Sequence, residues 1–405
     1  MSVVTEKPSL ESAHGRMDLH GHIPALDGLR GLAALMVMVF HFQFPAMHNS
    51  VAQLAADRFR TLGQTGVDLF FVLSGFLITG ILLDAKGGPN FLRNFYMRRV
   101  LRIFPLYYGT LLVYFFVWPL ILRSIFDGRS FLIYGLYLQS LMPGEGQAFG
   151  IRVQGPGHFW SLAVEEHFYL IWPMLVYFLS GWRLRVALVG IIAASIATRA
   201  VLVANDIPVF FLTPCRFDAI ALGSLLAVLL RDPRWEGWLR RNALRGFLII
   251  TAVFCPVYIV MSGSGNHLQQ VYKFTVIAVF YAAFLLIAIE DSSKHPVGRI
   301  LCSRALRSVG KYSYGTYVYH AFVFGGIHYY MGPWRAGLSG WRLAGLASLE
   351  LALAFGATFA SAWLSWHLYE KQFLKLKRFF EYGQGRKKTG TGDSEQPAGA
   401  SGKGN

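Results

Sequence analysis

Leu29-Arg30-Gly31-Leu32-Ala33-Ala34-Leu35-Met36-Val37-Met38-Val39-Phe40-His41-Phe42-Gln43-Phe44 is apolar enough for a bilayer, yet it carries an arginine and a histidine. An α-helix needs about 20 mostly apolar residues to cross roughly 30 Å of hydrocarbon. An arginine at the centre of such a helix costs roughly 2.5 to 3.5 kcal/mol on insertion scales, so it persists where something uses it. Arg30 and His41 are eleven positions apart. At about 1.5 Å and about 100° per residue they stand about 16 Å apart along the axis and on one face. That face presents a fixed cation near one end of the helix and a titratable base toward the other.

Similar stretches recur along the chain. Of its 405 residues 54% are hydrophobic and only 15% charged, with mean hydropathy +0.42, which indicates an all-α polytopic membrane protein. Candidate spans are 28–44, 66–84, 104–122, 159–179, 186–204, 219–230, 246–261, 274–289, 312–330 and 343–368. The segment from Phe131 to Met142 is too short to cross and reads as re-entrant or interfacial. With that segment left out, the basic stretches near Arg93 to Arg102, Arg183 and Arg185, Arg231 to Arg245, Lys294 to Lys311 and Lys371 to Arg378 all fall on one side. The positive-inside rule then predicts a bundle of about ten transmembrane helices with both termini cytoplasmic. Residues 1–22 read as a cytoplasmic tail, 23–380 as one membrane domain, and 381–405 as a disordered cytoplasmic tail too polar to pack.

The net charge of +16 follows from those inter-helix segments, so a nucleic-acid partner is not indicated. Cys215, Cys255 and Cys302 lack the spacing of a zinc site or a disulfide framework. No HExxH, Walker or GxGxxG pattern is present, and neither a metal nor a nucleotide-hydrolysing site is expected.

Three polar groups within the apolar pattern carry the chemistry. Asn94-Phe-Tyr-Met-Arg98-Arg99-Val-Leu-Arg102 places Arg98 and Arg102 one turn apart with Arg99 beside them. Such a cluster serves either as a positive-inside anchor or as a phosphate site, because guanidinium forks grip phosphate bidentately. Ser161-Leu-Ala-Val-Glu165-Glu166-His167 puts a hydroxyl and two carboxylates in an apolar span, with Ser161 and Glu165 on one face and Glu166 about 100° away. GxSxG is missing, so a serine nucleophile is not favoured; a carboxylate that orients His41, or an ion pair between helices, is the expected role. Asp68, Arg216, Asp218 and His320 complete the set, Arg216 and Asp218 being expected chiefly to pair with each other or with neighbours.

Leu26-Asp27-Gly28-Leu29-Arg30-Gly31 with His41, Gly66-Val-Asp68 through Gly75-Phe76, Arg98-Arg99-Val-Leu-Arg102-Ile-Phe-Pro105, Phe159-Trp-Ser161 through Glu165-Glu166, Arg216-Phe-Asp218 and Tyr314-Gly315-Thr-Tyr317-Val-Tyr-His320 occur in order. Over about residues 23 to 375 this pattern resembles the acyltransferase family 3 integral membrane O-acyltransferases. The resemblance implies an acyl-CoA donor, acetyl-CoA in most members, and no permanently bound cofactor. It also implies a carbohydrate-containing acceptor, such as an exopolysaccharide, O-antigen or glycolipid, and a place in the cytoplasmic (inner) membrane. Arg30 and His41 would be essential and Arg98, Arg99 and Arg102 would contact the donor. His41 would act as general base with Glu165 or Glu166 orienting it, or else carry a transient acyl group. A transporter or flippase for a glycan or lipid intermediate is the alternative; the inverted repeats or paired broken helices that would favour it are not visible.

Overall fold

The computed structural model describes residues 22–43, 50–122, 126–141, 147–148, 151–261, 267–290 and 296–382. The expected terminal tails, 1–22 and 381–405, therefore lie almost wholly outside the described residues.

Among these residues the chain is helical: α1 Pro24–His41, α2 Ser50–Gln64, α3 Gly66–Ala85, α4 Phe91–Leu112, α5 Trp118–Leu122, α6 Gly128–Gly135, α7 Trp160–Phe178, α8 Gly181–Ala204, α9 Phe217–Leu229 and α10 Pro233–Met261 come first. They are followed by α11 His267–Glu290, α12 Pro296–Leu301, α13 Arg304–Lys311, α14 Ser313–Arg335, α15 Gly340–Ser365 and α16 Lys371–Lys375. A two-residue antiparallel ladder, Gln147–Ala148 with Ile151–Arg152, is the one extended element among them. Each of the ten apolar stretches falls on a helix. Among the described residues six helical runs are both long and apolar enough to cross a membrane: 24–41, 56–85, 91–120, 181–204, 267–290 and 340–380. The shorter α9 is apolar throughout, and the chain is an all-α multi-pass membrane protein. The segment left out of the span count, Phe131 to Met142, holds the second half of α6, whose eight residues extend only about 12 Å at 1.5 Å per residue, and a 3-10 turn at Leu138–Ser140; Met142 lies outside the described residues.

Helices in lipid gain little from apolar contact with one another and instead pack closely where side chains are small. Two such seams organise the bundle. Along α3 and α9, a Cβ on Gly75 would fall 1.9 Å from the Ile220 carbonyl oxygen, and one on Gly223 would fall 1.9 Å from that of Val72. Along α1, Gly28 and Gly31 lie against Leu301 and Leu306, and Gly310 of α13 touches the Asp27 carbonyl. The second seam turns the face of α1 that bears Asp27 and Arg30 toward the basic residues of α13. Pro24 in the first turn of α1 supplies a preset φ where its missing N–H costs nothing.

After α15 a π-helical turn, Trp366–Glu370, swings the buried Glu370 carboxylate toward α4. The chain then folds back beneath the basic end of α4. Asn94 Nδ2 donates to the Glu381 carbonyl at 2.9 Å, and Arg98 donates to the Lys377 and Phe380 carbonyls at 3.4 and 3.3 Å.

Candidate active site

A cavity of about 1150 Å³ opens between α1, α3, α4, α7, α13 and the C-terminal segment. On α3 its lining runs from Asp84 and Ala85 through Ile81, Leu77, Ser74 and Phe70 to Val67. Val67 to Ala85 spans about 27 Å at 1.5 Å per residue, so the cavity follows nearly the whole helix. Part of its wall is basic: Arg30, Arg98, Arg99 and Arg102 all line it. Arg304, Arg307, Lys311 and Lys377 join them, and their charge was accounted for in the sequence by positive-inside anchoring alone.

The partners of these cations are sparse. Arg30 lies 3.4 Å from Asp27, which is itself 2.7 Å from His22. Arg102 lies 3.9 Å from Glu370 and over the rings of Tyr314 and Trp366. Arg99 stacks on Phe95 and Tyr169, and Arg98 on Tyr382. Among the described residues neither Arg98 nor Arg99 has a carboxylate within ion-pair distance. Aromatic faces and carbonyl oxygens hold the guanidinium groups in place without neutralising them, which leaves net positive charge along the wall.

Another part of the wall is polar and hydrogen-bonded. The Ser74 hydroxyl donates to Tyr169, whose own hydroxyl donates to Glu165 Oε2 at 2.9 Å. Ser161 donates to the Tyr317 hydroxyl, which in turn donates to the His158 carbonyl at 2.6 Å. Ser161 and Glu165 both line the cavity, consistent with their one-turn spacing. Glu166 points away from it, with Oε1 buried and lacking a hydrogen-bond partner among the described residues.

His41 stands elsewhere. Its Nδ1 is 2.9 Å from the Val37 carbonyl and 3.2 Å from His320 Nε2. A carbonyl can only accept, so with neutral rings the hydrogen is on His41 Nδ1. His320 uses its own Nδ1 to donate to the Tyr317 carbonyl at 2.6 Å, leaving its Nε2 to accept from His41. His41 Nε2 is then a bare lone pair, the form a general base requires. Neither glutamate reaches this ring. The expected carboxylate contact is replaced by imidazole and carbonyl contacts, because Glu165 is engaged by Tyr169 and Glu166 points away from the cavity. His41 borders a second, smaller space of about 190 Å³ at the other end of α1. Tyr317, Ser161, His158 and His320 fill the bundle between the two spaces. His158, edge-on to His320 at 4.9 Å between ring centres, was not singled out in the sequence, although its position three residues before Ser161 was a signal.

Asp68, Arg216 and Asp218 line neither space. Arg216 donates to Asp68 at 2.6 Å and stacks on Phe274 at 4.0 Å. Asp218 pairs with Arg199 at 2.8 Å and accepts from Thr275 at 2.5 Å. Arg199, 0% exposed and also bonded to the Val271 and Cys215 carbonyls, was not singled out in the sequence, although an arginine within an apolar span is itself a signal. No group of three or more His, Cys, Asp or Glu among the described residues is arranged to hold a metal ion.

The family described as an acyltransferase domain matches residues 23–369. The chain belongs to the acyltransferase 3 family. Within curated proteins, this acyltransferase 3 chain is 29% identical over 325 residues to the putative peptidoglycan O-acetyltransferase YrhL of Bacillus subtilis, covering 74% of the chain and 48% of that relative. It is 27% identical over 316 residues to the peptidoglycan O-acetyltransferase OatA of Listeria monocytogenes, covering 74% and 49%. To the O-acetyltransferase OatA of Staphylococcus aureus it is 24% identical over 322 residues, covering 74% and 50%. The acyltransferase 3 chain thus spans about half the length of the curated relatives it matches. No solved structure matches it significantly.

Proposed function

We propose that this protein is an O-acetyltransferase of the cytoplasmic membrane. In this reading it moves an acetyl group from acetyl-CoA, bound from the cytoplasm, to a hydroxyl of a glycan acceptor on the opposite side. One observation carries the proposal: a long cavity is lined by four arginines, of which Arg98 and Arg99 have no carboxylate within ion-pair distance among the described residues, and by a hydrogen-bonded hydroxyl and carboxylate cluster. The phosphates of coenzyme A cannot enter lipid. Arg30, Arg98, Arg99 and Arg102 are suited to hold them as bidentate guanidinium–phosphate pairs, with Lys311 and Lys377 as further point charges. The pantetheine arm then extends along α3 toward Ser161 and Tyr317. The family membership and the O-acetyltransferase names of the relatives point the same way.

In the transfer step His41 Nε2 takes the proton of the acceptor hydroxyl, and the oxygen attacks the thioester carbonyl carbon. The C–S bond breaks, and the departing thiolate receives that proton to leave coenzyme A and the O-acetyl ester. Glu165 sits among the cavity's hydroxyls, where it holds Tyr169 and Ser74 in place. Because Tyr317 stands between the cavity and His41, its side chain must rotate as the thioester arrives. A transient acyl-histidine is the competing route.

The test is label transfer from radiolabelled acetyl-CoA to cell-envelope glycan by the purified protein. His41→Ala should lower the rate by about 10²- to 10⁴-fold, the usual contribution of a general base. Activity within threefold of the parent would remove His41 from the mechanism. Movement of glycan across vesicles without label would favour a transporter.

A further inference from the structure

The small space beside His41 has a second polar wall. Glu350 is the lone carboxylate between positions 341 and 369, set in Leu349-Glu350-Leu351 of α15, and it is 2% exposed. A carboxylate so placed needs partners, and both oxygens have one. Oε1 accepts from His328 Nδ1 at 3.1 Å, and Oε2 is ion-paired with Arg335. Arg335 also reaches the Gln43 carbonyl at 3.5 Å, which ties the ends of α1 and α14 to the interior of α15.

Charge balance needs only the Arg335–Glu350 pair. The third member, His328, adds something else: with its Nδ1 hydrogen fixed on the carboxylate, its Nε2 lone pair is the free ring position. The His328 side chain is 35% exposed and lines the same space as His41. Phe42 and Phe324 supply an apolar wall between these imidazoles. Two basic ring nitrogens, a flanking aromatic surface and about 190 Å³ suit a single sugar ring, whose hydroxyls are donors and whose C–H face is apolar.

We propose that His328, oriented by Glu350 and Arg335, is the acceptor-binding residue. It accepts a hydrogen bond from one sugar hydroxyl and so presents a neighbouring hydroxyl to His41. This rests on the glycan O-acetyltransferase reading and specifies where its acceptor binds. His328 makes a binding contact, whereas Glu350 and Arg335 act through it as positioning residues.

The experiment uses the full chain in lipid nanodiscs and a panel of methyl glycosides of glucose, galactose, N-acetylglucosamine and N-acetylmuramic acid. Saturation-transfer NMR reports glycoside binding and calorimetry reports acetyl-CoA binding. His328→Gln leaves the Glu350–Arg335 pair in place and should fold; it is expected to weaken glycoside binding at least tenfold while acetyl-CoA affinity stays within twofold. Glu350→Asp should recover part of the binding that Glu350→Ala loses. Undiminished glycoside binding by His328→Gln, an equal loss of acetyl-CoA binding, or no glycoside binding by the parent would each overturn the assignment. His328-dependent glycoside binding by a parent that transfers no label from acetyl-CoA would keep this site and sink the transferase reading instead.

Discussion

Two sets of arginines lie within the same helical bundle and are treated in opposite ways. Arg199 and Arg216, on α8 and at the start of α9, are 0% and 1% exposed, and each has a carboxylate within 2.8 Å. Arg30, Arg98, Arg99 and Arg102 face a wide cavity and rest on ring faces, carbonyl oxygens and, at most, a carboxylate 3.4 Å or more away. Breaking a buried pair strands a charge in a medium that cannot solvate it. A cavity arginine loses little when its neighbours change, because water reaches it. Residue type does not separate the two sets; full burial with a carboxylate within 2.8 Å does.

The comparison breaks most visibly at Asp218. Asp218→Ala leaves the Arg199 guanidinium buried and uncompensated and should cost about 3–5 kcal/mol, seen as a collapse of the melting temperature in detergent. Melting like the parent's would show that Arg199 finds other partners and that the structural assignment is mistaken. Arg99→Ala, alone or with Arg98→Ala, should do the reverse. The melting temperature should move little, while the KM for acetyl-CoA rises about tenfold or more, as expected for a lost charged hydrogen bond worth about 1.5–3 kcal/mol. An unchanged donor KM would return these residues to simple membrane anchoring. The smallest effect belongs to Arg231, whose side chain is 19% exposed and paired with the 30% exposed Asp84 at 2.9 and 3.0 Å. Arg231→Ala should cost no more than about 0.2–1 kcal/mol once solvent screening is counted, and a larger loss in a melting series would show that this pair is shielded.

Much of the site was legible because its residues contradict their surroundings. Arg30, His41, Glu165 and the Arg98–Arg102 cluster interrupt apolar helices, and the structure gathers all but His41 around one cavity. Arg216 and Asp218 were expected to pair with each other or with neighbours, and it is neighbours that they take: Asp68 holds Arg216 and Arg199 holds Asp218. Partner choice across helices depends on which faces meet, and sequence spacing carries no such information. Likewise Arg304, Arg307, Lys311 and Lys377 looked like surface charge, because a loop cation and a cavity cation have the same local sequence.

The sequence by itself determined an all-α membrane bundle, the placement of its helices and the face that Arg30 and His41 share, since these follow from length, apolarity and the 3.6-residue period. Tertiary packing alone decided that Arg30 and His41 open onto different spaces. It paired His41 with His320 rather than with a glutamate, and it brought His328, Glu350 and Arg335 to the far side of His41. The physical reason is that helix geometry fixes depth and direction along one axis, whereas a cavity exists only where the side chains of several axes fail to fill the space between them.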